Sequence, residues 1–61
     1  MTRFRLEINL EPEKISNTFR YFWCIIKEED SKSPSNNGFG WADSIENAFF
    51  QSYSYYRNHI K

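Results

Sequence analysis

The amino-acid sequence predicts a small α+β domain in which a three-stranded antiparallel sheet carries one C-terminal helix packed on one face, in the order β-β-β-α. Three features lead to this fold class. Apolar and polar residues alternate through residues 3–11, the pattern of a half-buried strand. Residues 18–27 are rich in aromatic and β-branched side chains, which favour strands. From residue 45 onward, apolar residues recur every three or four positions, as on one face of a helix.

Length and composition limit what the chain can build. With 61 residues it has room for a single domain, residues 1–61. A chain of about 60 residues buries only roughly 60% of its unfolded surface, which leaves little material for the walls of a deep substrate cleft. The sequence contains 6 Phe, 4 Tyr and 2 Trp but only 2 Leu and no Val. Aromatic side chains must therefore fill most of the core, and we expect the surplus to form an exposed patch.

The first strand is predicted over residues 3–11. Its apolar side chains occupy alternate positions and share one face of the strand: Phe4, Leu6, Ile8 and Leu10. Charged and polar residues fill the positions between them. Pro12 has no N–H to donate to a neighbouring strand and ends this one. Residues 12–17 are then expected to form a turn or a short helical connection.

The second strand is predicted over residues 18–27, and both of its faces are apolar. The side chains that we expect to face the helix are those at even positions, Phe22, Cys24 and Ile26. Cys24 is small enough to lie beneath a helix, which favours this choice. The side chains at odd positions then point to the other side of the sheet: Tyr21, Trp23 and Ile25.

The third strand is predicted over residues 38–42, after a solvated loop. The loop comprises residues 28–37, which include no aliphatic or aromatic side chain. In the strand, Gly38 and Gly40 permit a bulge or the close approach of another group.

The C-terminal helix is predicted to begin after residue 43. Asp43 is expected to cap it, with Glu46 three positions on as the second half of a capping box, and Ser44 is the alternative cap. The apolar stripe of the helix consists of Ile45, Ala48, Phe49, Ser52, Tyr53, Tyr56 and Ile60. We expect this stripe to pack against the apolar face of the first strand.

Charge and cysteine content exclude several classes of protein. The 8 Lys and Arg residues balance 8 Asp and Glu residues, whereas general nucleic-acid or membrane-surface binders are normally basic. The longest apolar run has five residues, too few for a membrane span, and the N-terminal residues do not have the apolar stretch of a signal peptide. The single cysteine, Cys24, excludes an internal disulfide framework and fits a reducing compartment, so we expect a cytoplasmic protein.

No pattern of residues predicts a catalytic, cofactor or metal site, and we expect the protein not to be an enzyme. Cys24 and His59 are the only thiol and imidazole, and each is interpreted as structural or surface-exposed. The carboxylates of residues 28–30 are interpreted as a solvated rim, since no glycine at the right distance bends them around a cation. Gly38-Phe39-Gly40 matches neither a dinucleotide fingerprint nor a phosphate-binding loop.

The predicted binding surface combines basic and aromatic side chains on the first two strands: Arg3, Arg5, Tyr21, Trp23 and Ile25. Trp, Tyr and Arg are the residues most often found at the energetic centres of protein interfaces. We therefore predict a small protein-interaction or regulatory module, with a homodimer as one form of that interaction. The alternative is a binder of single-stranded nucleic acid, because basic residues beside aromatic ones can hold phosphates and stack bases.

Overall fold

The computed structural model describes residues 2–60. Its elements are strands β1 (Thr2–Ile8), β2 (Glu13–Ile15), β3 (Thr18–Glu29) and β4 (Ser35–Ala42), then helix α1 (Ile45–Tyr55), which continues as a π-helical turn over Tyr56–Ile60. The strands form one antiparallel sheet, and α1 packs across one of its faces. The predicted α+β class, an antiparallel sheet with one C-terminal helix, is confirmed. The count of three strands rises to four, because β2 joins the sheet.

The sheet is organised around β3, which pairs with each of the other three strands. The β1 ladder runs from Thr2 opposite Glu29 to Ile8 opposite Trp23. The β4 ladder runs along the same strand from Tyr21 onward and has one irregularity, between Cys24 and Ile26. Between Trp23 and Lys27, β3 has a neighbouring strand on both edges, an arrangement that satisfies backbone hydrogen bonds and suits the most apolar segment of the chain.

Residues 12–17, predicted as a turn or a short helical connection, contain a strand instead. β2 pairs with the start of β3, and the two are joined by Ser16 and Asn17. Both linking residues have positive φ angles, 51° and 66°, as a two-residue type I′ hairpin turn requires. The first strand correspondingly ends at Ile8 rather than at residue 11, and Leu10 lies exposed in the interruption between β1 and β2.

The loop predicted over residues 28–37 is also shorter than expected. β3 extends to Glu29 and β4 begins at Ser35, so polar residues form the distal part of this hairpin. Strand pairing there needs only backbone hydrogen bonds. The polar end of β3 also pairs with β1, where Arg3 Nε lies 3.5 Å from Glu28 Oε1. The paired strands give the molecule an elongated shape of 41 × 22 × 15 Å.

The orientation predicted for the central strand is wrong. Trp23 and Ile25 lie beneath α1, with only 4% and 3% of their surfaces exposed, and they form the core with Ala42 and Ala48. The even positions of β3 therefore face away from the helix. The physical reason is the space that β4 offers: a Cβ atom on Gly40 would lie 2.6 Å from Trp23 Cζ2, so only glycine leaves room for the indole ring.

The centre of the helix contacts the sheet through small side chains, with Tyr55 and Tyr56 packed against the core beside them. Ala48 and Ser52 are fully buried, and the buried indole N–H of Trp23 donates to Gln51 Oε1 at 3.2 Å. Phe49 and Tyr53, predicted as core residues, are 56% and 62% exposed on the flank of α1. The predicted apolar stripe is present, but its buried centre is shifted toward the side of α1 that carries Gln51, the residue that accepts the hydrogen bond from Trp23.

The helix cap is Ser44 rather than Asp43. Asn47 N–H donates to Ser44 Oγ at 3.1 Å, and Ser44 has the extended backbone of an N-cap residue. Asp43 instead accepts a hydrogen bond from the side chain of Asn47, Nδ2 to Oδ1 at 2.6 Å. The capping box expected from Asp43 and Glu46 is not formed.

The burial of Trp23 yields a first prediction. Trp23→Ala should reduce the free energy of unfolding by about 3–5 kcal/mol, because it leaves a cavity between α1 and β4. Phe49→Ala is the control, and it should cost about 1 kcal/mol or less because much of that ring is already in water. Urea unfolding followed by circular dichroism measures both, and equal losses would contradict this core.

The cap yields a second prediction. Ser44→Ala should destabilise the protein by about 0.5–2 kcal/mol, because the N–H of Asn47 loses its acceptor. Asp43→Ala should cost less, since it removes only a side-chain contact on the surface. Thermal unfolding of the two variants gives the comparison, and a larger loss for Asp43→Ala would contradict the assignment of the cap.

Candidate functional site

The sheet surface opposite α1, here called the open face, is the candidate functional site. Its central side chains come from alternate positions of β3 and β4: Phe22, Cys24, Ile26, Phe39 and Trp41. The ladder sets Phe22 opposite Trp41 and Cys24 opposite Phe39, which brings these side chains onto the same side. Within residues 2–60 the only helix lies on the other side of the sheet. The open face therefore has no covering element in the described part of the chain.

Three rings on the open face form what we call the aromatic cluster, in which Phe22 packs against both Phe39 and Trp41. The centroid of the Phe22 ring lies 5.0 Å from that of Trp41 and 6.1 Å from that of Phe39. Phe22 and Trp41 are half-buried, whereas Phe39 is 63% exposed. These spacings are in the range in which aromatic pairs attract each other. The cluster is thus a partly packed apolar surface, with Phe39 as its most exposed ring.

The aromatic cluster depends on an irregularity in β4. Ile26 pairs with Asn36, but Cys24 pairs with Phe39, so β4 uses one more residue than β3 over this interval. The extra residue is accommodated where Gly38 N–H donates to Asn36 Oδ1 at 2.8 Å. One extra residue reverses the side of the sheet to which the following side chains of β4 point. Phe39 therefore lies on the open face, and Gly38 lies beneath the ring of Tyr55.

The rim of the open face along β1 carries charges of both signs. Arg5 Nη2 lies 3.0 Å from Glu7 Oε2, and Arg5 Nη1 lies 3.6 Å from Glu28 Oε2. Arg3 also contacts Glu28. Each arginine on this rim therefore has a carboxylate beside it, and the rim presents no row of unpaired positive charge.

The structure separates the five residues predicted to bind. Arg3 and Arg5 lie exposed on the open face. Trp23 and Ile25 are core residues on the opposite side, with Tyr21 half-buried on that side too, so the geometry on which their selection depended is wrong. The aromatic residues of the open face are instead Phe22, Phe39 and Trp41. In Gly38-Phe39-Gly40-Trp41, glycine and aromatic residues alternate, which predicts a strand with glycines on one face and aromatic rings on the other. This pattern in the sequence could have identified Phe39 and Trp41.

Cys24 lies buried at the centre of the open face as a free thiol. Burial raises the pKa of this thiol, the negative charge of Glu7 raises it further, and Arg5 acts in the opposite direction. The thiol therefore stays protonated and weakly nucleophilic at neutral pH. His59 lies exposed on the other side of the sheet, with its ring centroid 4.4 Å from that of Tyr55, and it cannot serve Cys24 as a base.

The acidic residues at the end of β3 are engaged by cations. Glu29 lies 3.3 Å from Lys27 Nζ and 3.5 Å from Lys32 Nζ. The hydrogen bond and the charge of Lys27 lower the pKa of the Glu29 carboxyl, and hydrogen bonds from Lys32 and Thr2 act in the same direction. In the part of the chain that the structure describes, no three His, Cys, Asp or Glu side chains converge as metal ligands.

A second apolar surface, here called the edge groove, runs between β1 and α1. Its volume is about 630 Å³. Its apolar lining consists of Phe4, Leu6, Ile25, Phe49, Tyr53 and Tyr56. Leu6, Phe49 and Tyr53 are the exposed members, and Ile25 is buried. The groove lies on the helix side of the sheet and is separate from the aromatic cluster.

The raised pKa of Cys24 yields a third prediction. Because the pKa of the folded thiol exceeds that of the unfolded thiol, about 8.5, its contribution to stability is complete at lower pH and is lost as the pH rises through the folded value. Urea unfolding at about pH 7 and about pH 9.5 should show a larger loss for the parent than for Cys24→Ala. The same pH dependence in both proteins would contradict the prediction.

Comparison with protein-family models, with curated proteins and with solved structures gives no match for this chain. Among residues 2–60, no helix combines the length and the apolar character needed to cross a membrane. The function of the protein is therefore inferred from the open face and the charges around it.

Proposed function

We propose that the protein is a small non-enzymatic module that binds a partner protein through the open face. The observation that carries the proposal is the aromatic cluster, in which Phe22 packs against Phe39 and Trp41 and which no element of residues 2–60 covers. Side chains already fixed by packing lose little conformational entropy on binding, so their apolar surface contributes more fully to affinity. Large rings at the centre of a surface, with a polar rim around them, are the usual anatomy of a protein interface.

The charges along the β1 rim of the open face favour a protein over a nucleic acid. A strand of DNA or RNA needs cations that follow its phosphates, and binding then weakens steeply as salt rises. Arg3 and Arg5 are already in contact with Glu7 or Glu28, and those carboxylates would repel a phosphate. The partner that fits is a protein surface with an apolar centre and charges of both signs at its margin.

The chemistry of the open face supports a binding role rather than a catalytic one. Cys24, the only nucleophile at its centre, has a raised pKa because it is buried, and the sole imidazole lies on the other side of the sheet. We place the module in the cytoplasm, since a single buried free thiol suits a reducing compartment.

The proposal yields a fourth prediction, which compares Phe39→Ala with Phe50→Ala. Both rings are largely exposed, 63% and 72%, but Phe50 lies on α1, away from the open face. Proteins captured from cells that make this protein are purified and titrated against the parent and both variants by calorimetry. Phe39→Ala should weaken a true partner by more than about tenfold, whereas Phe50→Ala should leave its affinity unchanged.

Two outcomes would overturn the proposal. One is that every purified candidate binds Phe39→Ala as tightly as the parent. The other is that the parent binds an oligothymidine strand tightly, with an affinity that falls steeply between low and physiological salt, while no protein candidate depends on Phe39.

A further inference from the structure

β1 is an edge strand with free backbone groups. Asn9 N–H donates to Phe22 O at 2.9 Å, and the pairing of β1 with β3 continues from there without a shift. Backbone groups alternate in direction along a strand, so the N–H and C=O of Phe4, Leu6 and Ile8 point away from β3. In the described chain, β1 pairs with β3 alone. Such an edge is a template for one more strand.

The free edge borders the edge groove on the helix side of the sheet. Leu6 stands at the border and is 40% exposed, with Phe49 and Tyr53 exposed across the groove on α1. The occupant of this place must therefore supply both a strand that pairs with β1 and apolar side chains on the helix side of that strand. β1 itself has this composition, because Phe4, Leu6 and Ile8 share its helix side.

We propose that the occupant is a second copy of this chain, with the two β1 strands paired antiparallel about a two-fold axis at Leu6. This arrangement joins two four-stranded sheets into one continuous sheet. Leu6 then lies opposite Leu6 of the second copy, and Phe4 lies opposite Ile8 of the second copy, all on the helix side. The interface uses the edge of the sheet rather than the open face, so the proposal does not depend on the proposed function.

Charge complementarity selects the register. With the axis at Leu6, Arg5 lies opposite Glu7 of the second copy, and the same pair recurs on the other side of the axis. These pairs occupy non-hydrogen-bonded positions, where opposed side chains are closest. An axis at Arg5 would set two arginines opposite each other, and an axis at Glu7 would oppose two glutamates. The Leu6 register therefore opposes unlike charges at positions 5 and 7, where the other two registers oppose like charges.

Packing on the helix side agrees with this register. The axis is perpendicular to the sheet, so both α1 helices lie on the same face, one on each side of the seam. The apolar side chains of the edge groove then face those of the second copy across the two Leu6 residues. The formal net charge of zero gives no long-range repulsion between copies.

The test uses two charge reversals, Arg5→Glu and Glu7→Arg, in the full chain. Each reversal alone sets like charges opposite each other on both sides of the axis, and it should raise the dimer dissociation constant by at least about tenfold. The Arg5→Glu variant has carboxylates at positions 5 and 7, and the Glu7→Arg variant has guanidinium groups at both. In an equimolar mixture these opposite charges face each other, so the two variants should form a heterodimer. Sedimentation equilibrium measures the parent, each variant and the mixture at micromolar concentration. Recovery on mixing cannot come from a variant that has merely lost its fold.

Phe39→Ala is the matched control for the other apolar surface, and it should dimerise like the parent. The proposal is overturned if the parent is a monomer at high micromolar concentration, or if either reversal alone dimerises as the parent does. It is also overturned if the mixture stays monomeric, or if Phe39→Ala alone abolishes the dimer, since association would then belong to the open face. The monomeric parent, the unaffected single reversals and the monomeric mixture leave the binding of a partner protein by Phe39 untouched, so the edge proposal can fail while the proposed function stands.

Discussion

The packing of the Trp23 indole against the glycine backbone of β4 is the contact on which the rest of the structure depends. A Cβ atom at Gly40 would meet the ring, so the sheet can hold Trp23 only where β4 has no side chain. The ring fills the volume under α1 in place of the aliphatic residues that the sequence does not have. The helix can then approach through Ala48 and Ser52, and Gln51 satisfies the buried indole N–H. Burial of Trp23 also fixes the side taken by every other residue of β3.

The same constraint creates the open face. Once the odd positions of β3 are buried, Phe22, Cys24 and Ile26 must point away from the helix. The bulge in β4 then decides which of its side chains join them, because it places the glycines under Trp23 and Tyr55 and the aromatic residues on the other side. The core and the candidate site thus lie on opposite faces of the same two strands. A change in which side chains of β3 are buried would change both.

The sequence predicts the fold class, the alternation of β1 and the periodicity of α1, because each depends on a pattern within one segment. It fails at β3 because both faces of that strand are apolar, and the deciding information lies in Gly38 and Gly40 of another strand. The polar residues at the distal ends of β3 and β4 could not be predicted as strand from an apolar pattern, since their pairing depends on backbone hydrogen bonds. Of the residues predicted to bind, Arg3 and Arg5 lie on the open face. Tyr21, Trp23 and Ile25 lie on the helix side instead, because the small size of Cys24 does not decide which face of β3 is buried.

A sheet with one helix must leave one face without a helix, so the informative property is what the chain places there. β1 shows that the chain can place polar side chains on that face, since Arg3, Arg5 and Glu7 occupy it. Toward β4 the side chains on this face are the large rings Phe22, Phe39 and Trp41. Strand positions that only face water are usually occupied by polar residues. The polar rim and the apolar centre thus belong to one surface with a graded composition, as in the core and rim of an interface. This gradient, more than the number of aromatic residues, is why we assign a protein partner to the open face.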